Sequence, residues 1–461
     1  MHCLAASFSR ALLTVAATLA LGPAPNAQEP APAPLPLQHF QSLRDSLREL
    51  VGEGVVILRG AEQKPSKEVF TQDQEFWYLT GIAEPGLWMV CDTRTGQDTL
   101  FVPPFSRFTA TWDGSRLAPG EEAAERTGFD VVGNIRSFLA RDLDALLAED
   151  EDGARPVVWT LLEAAPNVTS TDYDAAGAAR RRSEDPFDGR SSREQAFAKA
   201  LEERFSGLEI RGIRGTLNRM RAVKTDAEIA QIRAATQAAA EGIAEAMKSV
   251  EPGFYEYQLA AIARYVFTRL GAGPDSYAAI VGGGPNGCVL HYSALTRQLL
   301  ADDLIVMDYG PTMHGYATDV TRTFPADGEF SDDERKLVQD VYDVQQELIR
   351  NVRPGATLGD LSRMCNQLLQ DKGYRSFHGP CHHVGLAVHD VGGNVLQPGM
   401  VITVEPGAYL VDEGRGCRIE DVVLVTEDGC EVLSAGVPAT PDEIEALMRA
   451  DGVGQNDVGV K

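Results

Sequence analysis

Four carboxylates stand where this sequence is otherwise apolar. Asp308 ends the run Leu304-Ile-Val-Met, Asp319 precedes Val320, Glu405 ends Val401-Ile-Thr-Val, and Glu420 follows Ile419. Such segments read as buried strands, and a carboxylate buried with them needs a cation or strong donors to offset its lost hydration. Arg322 and Arg418 are the only obvious cations in those segments, so ion pairs cannot serve all four. Taken singly, each carboxylate is adequately explained by a capped turn or a structural ion pair. Taken together with a histidine, they point to metal. Four carboxylates contribute −4, two divalent cations +4, and a neutral imidazole nothing, so a pair of ions balances the site without burying net charge. Oxygen-rich ligands with one nitrogen suit Mn²⁺ first, with Co²⁺ and Zn²⁺ as alternatives. Paired ions about 3.5–4 Å apart can activate water and stabilise a tetrahedral intermediate, which is the chemistry of peptide-bond hydrolysis.

The rest of the chain must place those segments. At 461 residues it is too long for one ordinary domain. In the N-terminal part, 55–58, 88–91 and 99–102 read as strands, and 38–51 and 121–127 as helices, a mixed α/β pattern. Residues 167–193 turn polar and read as a loop or insert near a domain boundary, with Arg180-Arg-Arg182 on a solvated face. A long helix follows over 226–250, opened by a capping box between Thr225 and Glu228 and ended by Pro252-Gly253. Beyond it, 304–308 with 316–323 and 401–405 with 418–426 read as two hairpins. On an extended strand Val401, Thr403 and Glu405 share one face, and so do Arg418 and Glu420.

Charge and targeting signals narrow the setting. The formal net charge of −25 repels phosphate backbones, which argues against nucleic acid as a partner. Arg10, the apolar run 11–22 and the small residues before Ala27 predict a secretory signal peptide over 1–27, hence an exported protein, periplasmic or secreted. A disordered or amphipathic tail is the second reading. That run is too short to span a bilayer comfortably, and no later segment could. The cysteines form no C-x-x-C pair, so zinc ribbons and redox motifs are absent and free thiols are the default.

Four segments carry a specific resemblance. Asp308-Tyr-Gly-Pro-Thr-Met-His-Gly-Tyr-Ala-Thr-Asp319 with its continuation to Pro325, His378-Gly-Pro-Cys-His382-His-Val-Gly-Leu-Ala-Val-His389-Asp, Glu405-Pro-Gly-Ala-Tyr409 and Cys417-Arg-Ile-Glu420-Asp resemble, in order and spacing, the successive motifs of aminopeptidase P and prolidase. That family belongs to the creatinase/methionine-aminopeptidase superfamily. Gln72-Asp-Gln-Glu-Phe76-Trp-Tyr78-Leu-Thr-Gly81 and Trp112-Asp-Gly-Ser-Arg116 are similar to its N-terminal domain. The resemblance implies an α/β (α+β) chain. A creatinase-like mixed α/β domain over 37–205 would precede a pita-bread catalytic domain over 215–450.

Carried over by position, the resemblance implies that Asp308, Asp319, His382, Glu405 and Glu420 bind two divalent metal ions, with Asp319 and Glu420 bridging. Glu405 would also be the acid/base for a dinuclear-metal-activated hydroxide. His291 would stabilise the reacting centre, and His389 would hydrogen-bond the scissile carbonyl or the residue beside it. His378 would lie at the proline side of the cleft, and Arg418 would orient a carboxylate or metal ligand. The implied reaction is hydrolysis of the N-terminal Xaa-Pro bond of peptides with proline in second position, in a homo-oligomer (dimer or tetramer). Two alternatives stay open: a prolidase restricted to Xaa-Pro dipeptides, and a peptide-binding homologue without activity. His383 reads as a packing group, and His314 as an exposed turn residue. Trp112 reads equally as core or as an aromatic wall for a neighbouring subunit. Leu295 departs from a common Asn, Thr71 from a frequently basic residue, and Cys381 abuts the metal histidine.

Overall fold

Continuous apolar runs such as Val55-Val-Ile-Leu58 need cover on both sides of a sheet, and both sides are covered here. The computed structural model describes residues 32–454 apart from 64–68 and 105; the expected signal peptide lies outside the described residues. Strands β1 (Val55–Arg59), β2 (Trp88–Asp92), β3 (Gln97–Val102), β4 (Val131–Asn134), β5 (Val158–Thr160) and β6 (Ile210–Gly212) form one mixed sheet, ordered β4-β3-β2-β1-β5-β6. Val55 and Ile57 face a small cluster with Phe138, Phe197 and Leu201. Val56 and Leu58 face the main core, which continues into the C-terminal half. Because β6 pairs with β5, this sheet takes in residues beyond 205.

The C-terminal half opens with two helices, Asp226–Ser249 and Glu256–Arg269. Thr225 and Glu228 form the expected capping box. Gly242 admits the Phe267 ring, since a Cβ there would lie 2.3 Å from it. Three short sheets follow. Strands β7 (Ile280–Gly283), β8 (Leu304–Asp308) and β9 (Thr321–Pro325) are antiparallel in that order. Strand β10 (Val401–Val404) pairs with β13 (Asp421–Val425), which pairs with β14 (Cys430–Val432). Strands β11 (Gly407–Leu410) and β12 (Arg415–Arg418) make a separate ribbon. A bridge between Thr321 and Glu420 ties β9 to the turn before β13.

Three sequence expectations are corrected. The strand placed at 316–323 begins only at Thr321, because residues ahead of it are satisfied elsewhere. Tyr316 O–H donates to Glu228 at 2.6 Å, and Ala317 N–H donates to the Gly385 carbonyl at 2.7 Å. The strand placed at 418–426 breaks at Ile419 and Glu420, leaving Arg418 on β12 and Glu420 between sheets. The polar stretch 167–193 is not only loop, since Thr171 caps a helix over Asp172–Glu184. No residue of that helix is buried, and its arginines are solvated as expected.

Arg322 is almost fully buried and is turned away from the four carboxylates. Its guanidinium donates to Asp421 at 2.7 Å and to the carbonyls of Thr321, Glu420, Val437 and Pro438. Removing one partner of such a pair leaves a buried charge uncompensated. The Arg322→Met variant is therefore expected to lose about 3 kcal/mol of stability, read as a lower denaturant midpoint. An unchanged midpoint would contradict this.

Candidate metal centre

The strand ends deliver the carboxylates to one cavity of about 860 Å³. Asp308 leaves β8, Asp319 lies in the turn before β9, Glu405 follows β10, and Glu420 sits between β12 and β13. His382 comes from the loop that packs along β10, where its N–H donates to Thr403 Oγ1 at 3.1 Å. Ligand atoms of three groupings lie within 4.8 Å of one another: Asp308, Asp319 and Glu420; His382, Glu405 and Glu420; and Asp319, His382 and His389.

The hydrogen bonds fix which atoms are spoken for. His382 Nδ1–H donates to the His383 carbonyl at 3.1 Å, which leaves Nε2 with a lone pair. That nitrogen faces Glu405 at 3.3 Å, Asp319 at 3.4 Å and Glu420 at 3.8 Å. A lone pair pointed at three carboxylates is repulsive unless a metal ion or a proton lies between them. Asp319 Oδ1 and Glu420 Oε1 are buried and accept no hydrogen bond. Burial and the neighbouring Asp308 charge hold the Asp319 carboxyl well above the usual carboxylate range. Burial and Asp319 do the same for Glu420. Glu405 is raised by burial against the opposing pull of His382 and Arg418. Unsatisfied buried oxygens, mutual repulsion and a free imidazole nitrogen fit divalent cations as the missing partners.

One cation is already in place. Arg418 Nη2 donates to Asp308 Oδ2 at 2.7 Å, and Nε donates to Thr321 Oγ1 at 3.3 Å, whose hydroxyl donates to Glu420 Oε2 at 2.6 Å. Asp308 Oδ1 accepts from Tyr277 O–H, also at 2.6 Å. Arg418 therefore offsets one of the four carboxylate charges without any metal.

The remaining histidines surround the cluster differently. His378 Nδ1–H donates to the Gly379 carbonyl at 2.9 Å, and its Nε2 accepts from Tyr409 O–H at 2.8 Å. Tyr409 in turn accepts from Arg418 Nη1 at 3.0 Å. His389 stacks on His382 with ring centroids 3.8 Å apart and remains exposed to the cleft; partial desolvation there and the neighbouring imidazoles lower its pKa. Its loop is anchored by Asp390, which pairs with Arg221 at 2.5 Å and Lys224 at 3.5 Å. Arg221 also donates to Gln74 from the N-terminal half at 2.8 Å. His291 lies on the cavity wall, its ring exposed to the cleft.

Other expectations resolve individually. His383 Nε2–H donates to the Gly393 carbonyl at 2.9 Å, a packing contact. His314 sits in a turn as expected but is half-buried, with Gln231 partnering its Nδ1 at 2.9 Å. Trp112 is 76% exposed and therefore not part of the core. Cys381 lines the cavity, and burial pushes its thiol up, so it is protonated and a poor nucleophile. All six described cysteines are free. Tyr277 was missed from sequence. Thr321 and Tyr409 stood inside quoted motifs but without a role.

Residues 230–427 match metallopeptidase family M24, and residues 40–153 match the aminopeptidase P N-terminal domain. The chain is similar to the Xaa-Pro aminopeptidase of Escherichia coli strain K12, 32% identical with 90% of this chain and 98% of that protein covered. It is also similar to the Xaa-Pro dipeptidase of Pongo abelii, 28% identical over 86% of this chain and 88% of that one. Among solved structures, zinc-substituted E. coli aminopeptidase P in complex with product superposes with a TM-score of 0.77 at 29% identity, covering 90% and 99% of the two chains.

Proposed function

The chain belongs to the Xaa-Pro aminopeptidase family of M24 metallopeptidases, and from that premise we propose that it removes the N-terminal residue ahead of proline using two divalent ions. The observation that carries this reading is that Asp319 and Glu420, each with a buried oxygen that accepts no hydrogen bond (Oδ1 and Oε1), face His382 Nε2 at 3.4 and 3.8 Å in one cavity. Asp308, Asp319, His382, Glu405 and Glu420 would hold the ions, Mn²⁺ first, with Co²⁺ or Zn²⁺ as alternatives. When bound, such a pair makes hydroxide available near neutral pH and draws electron density from the scissile carbonyl.

The protein's own groups do the rest. Glu405 faces the cavity and would take the proton of the attacking water and deliver it to the proline nitrogen as the C–N bond breaks. That nitrogen has no proton of its own in the peptide, so departure requires one. His291 and His389 would donate to the substrate carbonyl region as charge develops on oxygen. Arg418 holds Asp308 and, through Tyr409, the His378 ring. The pyrrolidine ring offers no N–H, so a wall near His378 would select its shape.

The Xaa-Pro dipeptidase similarity keeps prolidase as the second reading. The cavity, about 860 Å³, lies near the top of the roughly 300–1,000 Å³ range for small-ligand pockets, which favours substrates longer than a dipeptide. The test is turnover of Xaa-Pro-Xaa peptides after chelation and add-back of Mn²⁺, Co²⁺ or Zn²⁺. Tripeptide cleavage restored by metal is expected, and hydrolysis of dipeptides alone would select prolidase. An inactive binding protein would show neither. We further propose export directed by 1–27, checked by finding mature protein outside the cytoplasm. A dimer or tetramer is likewise proposed, checked by solution mass. Among the described residues, no helix is long and apolar enough to cross a membrane.

A further inference from the structure

Glu256 opens the helix Glu256–Arg269, outside the carboxylate cluster, and is fully buried. Its two oxygens accept four hydrogen bonds. Oε1 takes Gly283 N–H at 3.0 Å and Asn286 Nδ2 at 2.9 Å, while Oε2 takes Tyr292 O–H and Arg297 N–H, both at 2.9 Å. Gly283 ends β7, and the other three donors lie in the connection from β7 to β8. They bracket His291, whose neighbours Leu290 and Ser293 also line the cavity. The backbone reinforces the attachment: Glu256 N–H donates to the Arg297 carbonyl at 3.1 Å, and Tyr257 N–H to that of Leu295 at 3.2 Å. Leu295 has φ +54°, a left-handed conformation that residues with a side chain rarely adopt unless the surroundings impose it.

We propose that Glu256 is a positioning residue for the reaction, acting through His291: its carboxylate clamps the β7–β8 connection and thereby sets where the imidazole stands in the cleft. This rests on the reading that His291 serves the reaction. The clamp specifically needs a carboxylate. An amide replaces one accepting oxygen with a donor, and whichever oxygen is lost, a backbone N–H of Gly283 or Arg297 is left facing another donor.

The test is a double-mutant cycle between Glu256→Gln and His291→Ala, measuring kcat/KM on an Xaa-Pro-Xaa peptide with metal content and melting temperature alongside. Glu256→Gln alone is expected to lower kcat/KM roughly tenfold to a hundredfold by displacing a catalytic group, with metal content kept. In the His291→Ala background it should change kcat/KM by less than about twofold, because its effect runs through the ring already removed. Equal losses in both backgrounds would overturn the proposal. A silent His291→Ala would instead overturn the reading on which it rests. If Glu256→Gln does not fold, Tyr292→Phe, which removes one of the four donors, is put through the same cycle with the same criteria: a smaller loss that vanishes in the His291→Ala background supports the clamp, and a loss equal in both backgrounds, or none at all, overturns it.

Discussion

The Glu405→Gln variant is expected to lose about a thousandfold or more of kcat while keeping most of its metal. The amide oxygen can still ligate, and Asp308, Asp319, His382 and Glu420 are untouched, so the cluster keeps enough donors to bind ions. What disappears is the group that carries the proton from water to the departing nitrogen. General acid–base catalysis contributes about 10²–10⁴-fold on its own, and here one residue would perform both transfers. Steady-state kinetics with an Xaa-Pro-Xaa peptide, read beside metal analysis, separates the two roles. Turnover at the wild-type rate would mean that Glu405 has been given the wrong part.

Chelation combined with Asp319→Asn and Glu420→Gln should have opposite effects on stability and activity. In the metal-free wild type, burial and mutual repulsion hold both carboxyls above their ordinary range. For an acid whose folded pKa is raised, the favourable contribution is complete below the unfolded value, about pH 4, and is lost as pH rises through the folded value. The chelated wild type is therefore expected to lose melting temperature as pH climbs above about 4, as far as these two groups decide it. Each tenfold excess in proton affinity costs about 1.4 kcal/mol once the group ionises. The chelated double variant should escape that loss and melt higher than the chelated wild type near neutral pH. Adding Mn²⁺ should reverse the order, because metal competes with protons for the wild-type oxygens and finds too few ligands in the variant. The variant should also be inactive. Identical melting of the two chelated proteins across pH would show that the cluster is not strained by its own charge.

The parts of the site that could be read from sequence were those whose chemistry clashes with its surroundings. Asp308 and Glu405 end runs of aliphatic residues, and that local contradiction is visible without a structure. His382 could be singled out only through the spacing of the resembling motif, since an isolated histidine gives no such contradiction. Strand boundaries failed where tertiary partners intervened. Tyr316 and Ala317 are bonded to Glu228 and Gly385, so the ladder cannot start until Thr321. Arg418 and Glu420 look like alternate residues of one strand, yet the chain changes sheets between them. Arg322 and Arg418 were equal candidates for balancing the carboxylates, and only packing assigns the first to Asp421 and the second to Asp308. The Tyr277 hydroxyl carries no signal at all, because its partner Asp308 lies far away in the chain. Only β1, β2 and β3 of the N-terminal sheet were legible as strands; β4, β5 and β6 are three or four residues long, and β6 lies beyond residue 205.

Binding stoichiometry bears most directly on the whole account. Protein stripped by chelator and titrated with Mn²⁺, with bound metal counted per chain, should take up two ions and regain Xaa-Pro-Xaa hydrolysis as they bind. One ion or none at saturation, or full activity in the exhaustively stripped protein, would contradict it.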